Sequence, residues 1–242
     1  MSLISHKFTD YSSLMKDFKI NEHGPGFHGD IHLLNVADKI INTCDNFIET
    51  GTYYGATTKW ASSVFEKVIT IEASELIFNL TKDDLSAYKN VTHILGDSRE
   101  ILKGLKIIEP AVFWLDAHYS GGSTFQSDNP LINEISLINN IQHPTCILID
   151  DARYITSCWV GEQYCELKTI LDLLSINGRY VAIFEDVLFA VPYDIKEVLN
   201  SYFDIMSKKY WNYYLDIANE KSFKKGSLSF FKEYFSRVIK KR

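Results

Sequence analysis

Acidic residues recur in this chain where largely apolar runs stop. Glu49 follows Phe47-Ile48, Glu72 follows Val68–Ile71, Asp97 follows Ile94-Leu95-Gly96, Asp116 follows Ala111–Leu115, and the pair Asp150–Asp151 follows Thr145–Ile149. Carboxylates so placed can accept from two vicinal hydroxyls at once, accept from an amine, or ligate a hard cation. The most distinctive stretch is Glu49-Thr-Gly51-Thr-Tyr-Tyr-Gly55. An acid at a strand tip suits a ligand with a cationic end, and glycine, lacking Cβ, lets backbone come close to it. The helix expected beyond would offer free N–H groups. The spacing is neither Gly-x-Gly-x-x-Gly nor Gly-x-x-x-x-Gly-Lys-Ser/Thr, so a pyrophosphate fingerprint and a P-loop are both excluded. An ordinary tight turn remains the alternative.

The other acids each admit two readings. Glu72 lies roughly 20 residues beyond the glycine turn, where α/β nucleotide sites place a carboxylate on ribose hydroxyls; alternatively it caps the next helix together with Ser74. Asp97 can accept from an exocyclic adenine amine while Ser98 addresses a ring nitrogen. Either residue can also be a plain N-cap. Asp116 is followed by His118, a side chain able to take a proton near neutral pH, although a surface-loop histidine is equally consistent. Asp150 and Asp151 can share one cation only if the chain leaves strand geometry at Asp150, because adjacent strand residues point to opposite faces; otherwise they form a strand-end turn.

These groups must be positioned by alternating strands and helices. Strands are expected at 46–49, Lys67–Glu72, Asn90–Leu95, Ala111–Leu115 and Thr145–Ile149, the fourth wholly apolar and so central and covered on both faces. Apolar residues at helical spacing predict helices over Leu33–Ile41, around Trp60–Phe65, at Ile101–Leu105, at Leu131–Ile138 and over Glu166–Ile176. Tyr180–Phe184 and Val187–Val191 predict a hairpin, and Asp194–Tyr202 a further helix. Gly121–Pro130 reads as a loop able to close over substrate. Phe230, Phe231, Tyr234, Phe235, Val238 and Ile239 form an amphipathic stripe, suited to docking on the body or on a second copy of the chain.

Composition narrows the class. The 242 residues are 46% hydrophobic, with 12 glycines and 5 prolines, which suits one folded α/β domain rather than a linker-rich chain. We read a single domain over 1–242, with a cap at 1–44, a cofactor-binding core at 45–192 and a helical extension at 193–242. The start of the chain lacks a secretory apolar core, and no run approaches the ~20 residues that span a bilayer. Cys44, Cys146, Cys158 and Cys165 show no Cys-x-x-Cys spacing; Cys44 and Cys146 are expected to be reduced, buried small hydrophobes. A soluble, cytoplasmic protein follows. Net charge is −6, yet Lys221–Arg242 carries +7, which leaves −13 on the remainder and disfavours a nucleic-acid substrate.

Taken together and in order, Glu49-Thr-Gly-Thr-Tyr-Tyr-Gly55, Ile71-Glu72, Gly96-Asp97-Ser98, Leu115-Asp116 and Ile149-Asp150-Asp151 resemble the class I S-adenosylmethionine (SAM) dependent methyltransferases over roughly residues 30–192. That resemblance implies a Rossmann-like, seven-stranded, mostly parallel sheet with a C-terminal antiparallel hairpin and helices on both faces. It implies SAM held by Glu49, Thr50, Gly51, Tyr53, Gly55, Thr57, Glu72, Ala73, Asp97, Ser98 and Asp116. Trp114-Leu-Asp-Ala-His-Tyr119 with Leu148-Ile-Asp-Asp151 is similar to the metal-dependent sugar O-methyltransferases of the macrocin O-methyltransferase kind. From this follow Mg²⁺ on Asp116, Asp150 and Asp151, a small-molecule or carbohydrate acceptor, and Asp116 with His118 as catalytic candidates. His118 stands where the family usually has a second acid as general base. Metal-independent transfer and a non-catalytic SAM-binding partner protein are the competing readings.

Overall fold

The computed structural model describes Ile40, residues 43–117, 129–156, 166–184 and 186–201, and single positions from there to 215. The leader, most of the first expected helix, His118, the 121–128 loop, Cys158, Cys165 and the C-terminal amphipathic stripe lie outside the described residues. The chain divides into two compact units, Met1–Lys196 and Glu197–Arg242. In the second, the described positions are helical.

The first unit is built on strands β1 (Asn46–Thr50), β2 (Lys67–Glu72), β3 (Val91–Leu95), β4 (Ala111–Leu115), β5 (Thr145–Ile149), β6 (Tyr180–Phe184) and β7 (Val187–Val191). They form one sheet in the order β3-β2-β1-β4-β5-β7-β6. All pairings are parallel except those of β7, which lies antiparallel between β5 and β6. The sheet thus has the expected class: mostly parallel, doubly covered, and closed by a hairpin. Every residue of β4 and β5 is buried, as the wholly apolar β4 and the largely apolar β5 lead one to expect.

Side-chain alternation divides the core. One face carries Phe47, which stacks edge-on against Trp60 of α1 (Ala56–Val64) at 6.2 Å, and His93, whose ring packs 4.3 Å from Phe78 of α2 (Glu75–Leu85). The opposite face carries Ile48, Phe113, Leu115, Ile147 and Ile149. That face is covered by α3 (Ser98–Gly104), α4 (Leu131–Ile138) and, after the single turn α5 (Arg153–Thr156), α6 (Leu167–Ser175). Ile135, Ile170 and Leu174 are fully buried there. Helices on opposite faces follow from right-handed crossovers that run first toward β3 and then back past β1.

The far end of the sheet is tied by a buried Arg179. Its guanidinium donates to Asn139 Oδ1 at 2.6 Å, Thr145 Oγ1 at 2.6 Å and Ile176 O at 3.2 Å, holding the entry to β6 against β5. Cys44 and Cys146 are free and buried, as expected. Among the described residues no helix is long and apolar enough to cross a membrane.

The turn after β1 is set by its neighbour. Gly51 has φ +91°, and a Cβ there would lie 2.4 Å from the carbonyl oxygen of Asp116. Gly55 has φ +74°, but a Cβ would meet only the movable Leu85 side chain at 3.0 Å. Gly51→Ala is therefore expected to cost roughly 2–4 kcal/mol in urea unfolding and Gly55→Ala about half that, since the first adds a clash with fixed backbone to the strain both share.

Candidate functional site

The hydrogen-bond ladder does not stop at the strand ends. Gly96 N donates to Glu72 O at 2.9 Å, Gly51 N to Ile71 O at 2.9 Å, Asp116 N to Thr50 O at 2.9 Å and Asp150 N to Leu115 O at 3.1 Å. The exits of β3, β2, β1, β4 and β5 therefore lie in one row along the C-terminal rim. This is where open parallel sheets bind ligands.

Glu49 is one step below that rim. Only 2% exposed, it faces α1, where its carboxylate accepts from Thr58 Oγ1 and, at 2.7 Å, from Thr70 Oγ1 on β2. Burial pushes its pKa up to about 8 against the pull of those two hydroxyls, and the nearby Asp116 and Glu72 carboxylates raise it further. Thr58 and Thr70 carry no motif of their own. They became recognisable only through their spacing on facing elements.

Glu72 is held differently. Its Oε2 accepts from Tyr53 N at 2.9 Å and its Oε1 from Ser74 N at 2.8 Å, so one carboxylate ties the glycine turn to the exit of β2. Burial raises its pKa, while the amides of Ser74, Tyr53 and Ala73 work the other way. Tyr53 reaches this position through a left-handed backbone, φ 48°, with its ring exposed beside Tyr54. Gly55 caps α1, and Thr57 lies in that helix's first turn. The N-cap of α2 is Ser74, whose hydroxyl accepts from Ile77 N at 3.4 Å, while Glu72 holds the amide of Ser74 itself.

Asp97 is the N-cap of α3, accepting from Arg99 N at 2.9 Å, and it is paired with the Arg99 guanidinium at 2.5 Å. That hydrogen bond to Arg99 holds its carboxyl below the usual range. The capping role is therefore observed, and an adenine amine would share the carboxylate with an arginine. Ser98 is buried at the start of α3, and Thr50 is buried at the tip of β1.

The acids after β4 and β5 do not gather as a metal site. Asp150 and Asp151 do leave strand geometry, for Asp151 has φ 56°. Yet Asp150 Oδ1 accepts from Asp151 N at 2.8 Å, and Asp151 Oδ1 is 2.6 Å from the Arg153 guanidinium. Arg153 also pairs with Asp186, whose Oδ1 accepts from Arg153 N at 2.8 Å. Among the described residues no group of three or more His, Cys, Asp or Glu side chains is arranged to hold a metal ion. Asp116, Asp150 and Asp151, which the resemblance implies as Mg²⁺ ligands, thus form no such group among the described residues, Asp151 being paired with Arg153. The chain supplies a guanidinium to two of its own acids instead.

One buried acid was not singled out from the sequence. Glu134 on α4 is 1% exposed and lies beside Ser98 and Thr50. Burial pushes its pKa up to about 7. A signal existed: Leu131, Ile135 and Ile138 form the core-facing stripe, and position 134 falls inside it.

No family model matches the chain, and no curated protein matches it. Among solved structures it is similar to an SAH-bound methyltransferase of Podospora anserina, at 13% identity and a TM-score of 0.50, covering 66% of this chain and 76% of that one. It is also similar to an O-methyltransferase of Bacillus cereus in complex with SAH, at 14% identity and a TM-score of 0.51, covering 75% of this chain and 88% of that one. The chain therefore has the Rossmann-like class I methyltransferase fold.

The state of Glu49 gives a stability prediction. Its folded pKa lies above its unfolded value of about 4.3, so between those values the folded chain holds a proton that the unfolded chain releases, and stability falls as pH rises through that window. Glu49→Gln removes this dependence. Its Tm relative to the wild type should rise by several degrees between pH 5 and pH 8.5 in parallel calorimetric scans.

Proposed function

We propose that this chain is a SAM-dependent methyltransferase that transfers methyl to a hydroxyl of a small molecule, a sugar or glycosylated compound being the acceptor class its motifs resemble. The observation that carries the reading is the placement of Glu49 and Glu72 around the Gly51–Gly55 turn, with Asp97 and Asp116 at the neighbouring exits of the same rim. The fold shared with two SAH-bound enzymes supports it.

The parts suit the cofactor. A sulfonium nucleoside carries positive charge at one end and vicinal hydroxyls in the middle. Glu49, Glu72 and Asp116 are close enough to oppose one another's ionisation, and a cation above them would favour their charged forms. Glu72, already oriented by two amides, is the residue to accept from the ribose hydroxyls. Asp97 and Ser98 border the place left for the base.

Transfer itself is an in-line displacement. The acceptor oxygen's lone pair forms a bond to the methyl carbon as the carbon–sulfur bond breaks, and that bonding pair stays on sulfur to give a neutral thioether. Most of the acceleration comes from alignment. The hydroxyl proton must leave to a base; His118, two residues past Asp116, is the candidate, and Asp116 lies at the strand exit that would orient it. The step is written without a metal, since Asp151 is paired with Arg153 and nothing in it needs a bound cation.

Isothermal titration tests the cofactor. SAM and SAH are expected to bind at micromolar concentrations, NAD not at all, and Glu72→Ala should weaken SAH at least tenfold, with a lowered Tm because two main-chain amides lose their acceptor. A chain that binds NAD and not SAM would overturn the assignment. Methyl transfer to carbohydrate acceptors should persist in EDTA; loss of turnover restored by Mg²⁺ would reinstate the metal.

A further inference from the structure

The Gly51–Gly55 turn is a costly shape to hold. Gly51, Tyr53 and Gly55 all take left-handed backbone, which for a tyrosine carries steric strain. Gly55 N closes the turn on Thr52 O at 2.9 Å, and Tyr53 N is held by Glu72 Oε2 at 2.9 Å. A third hold comes from beneath, through side chains that the proposed transfer does not use.

Thr70 stands within β2 in register with Glu49 of β1, and both side chains face α1. Thr70 Oγ1 donates to Glu49 Oε2 at 2.7 Å and lies 2.6 Å from Thr52 Oγ1. A hydroxyl has one proton, and that of Thr70 is committed to the carboxyl, so Thr52 is the donor in the second contact. Thr58 Oγ1, from α1, donates to the same Glu49 oxygen and lies 3.3 Å from Thr70 Oγ1. Thr58 and Thr70 are fully buried, and Thr52 is 3% exposed. The outcome is a one-way chain from Thr52 through Thr70 to Glu49, running out of the turn and into the sheet. Valine at position 70 would keep the branched shape that suits a strand and would bury no hydroxyl. What threonine adds is the link between the turn and the carboxyl.

We infer that Thr70 is a positioning residue for the amino-acid end of the cofactor: its hydroxyl ties Thr52, inside the glycine turn, to the Glu49 carboxyl and so holds the turn over which that end lies. Thr70 touches no ligand and acts through Thr52. The nucleoside end is assigned to Glu72, Asp97 and Ser98 at the exits of β2 and β3, so loss of the link should weaken the contacts made over the turn and spare the others. The inference rests on the SAM reading above and adds to it a residue below the rim.

Isothermal titration with SAH and with methylthioadenosine, which has the nucleoside end and lacks the amino-acid end, tests it, with Tm measured on every protein. Thr70→Val is expected to bind SAH about tenfold more weakly and methylthioadenosine within about twofold of the wild type. Thr70→Ser keeps the hydroxyl and should hold SAH within about threefold. Thr52→Val cuts the chain at its other end and should reproduce the loss seen with Thr70→Val; it also serves if that variant does not fold. Combining the two should weaken SAH no further. Wild-type SAH affinity in a folded valine variant, equal losses for the two ligands, no recovery in Thr70→Ser, or additive losses in the double variant would each overturn the inference while leaving the SAM reading intact. Absence of SAH binding by the wild type would overturn both.

Discussion

The parallel ladder that runs one step past the strand ends is the constraint on which the site depends. Because Gly51, Asp116 and Asp150 each donate a main-chain N–H to the neighbouring strand's last carbonyls, the exits cannot fray independently. Main chain at Gly51 is pressed so near Asp116 that no side chain fits between them. The glycine that a sequence reader attributes to a ligand's approach is required by the protein's own backbone. A ligand approaching the rim therefore meets a surface already fixed, which lowers the ordering cost of binding.

Several carboxylates then line the exits of neighbouring strands, and they are accommodated by different means. Glu49 is taken out of water and given two hydroxyls, so it is largely protonated at neutral pH. Glu72 is held by main-chain amides. Asp97 and Asp151 have arginines. The amide-held carboxylate is fixed by main chain, whereas the arginine-held ones are fixed by neighbouring side chains. A cationic ligand would favour the ionised form of Glu49, coupling its binding to proton release.

Much of this was legible in the residues. Ala111–Leu115 and Thr145–Ile149 could only be covered strands, and the acids that end the runs had to fall on one rim once the sheet was parallel. The chain does leave strand geometry at Asp150–Asp151, one of the two courses the residues left open. What stayed hidden depended on side chains that meet across elements. Nothing in Ser98-Arg99 shows that the guanidinium turns back onto Asp97, and nothing near Asp151 shows that Arg153 bridges to a hairpin residue 33 positions on. Glu134 was hidden for the opposite reason: an acid in a helix reads as solvated surface until its phase against Leu131 and Ile135 is counted.

The most direct measurement is a crystal structure of the chain with SAH. The account predicts both ribose hydroxyls on the Glu72 carboxylate, the homocysteine portion over the Gly51–Gly55 turn, and the purine beside Asp97 and Ser98. SAH seated away from that turn, or a ribose that makes no contact with Glu72, would contradict it.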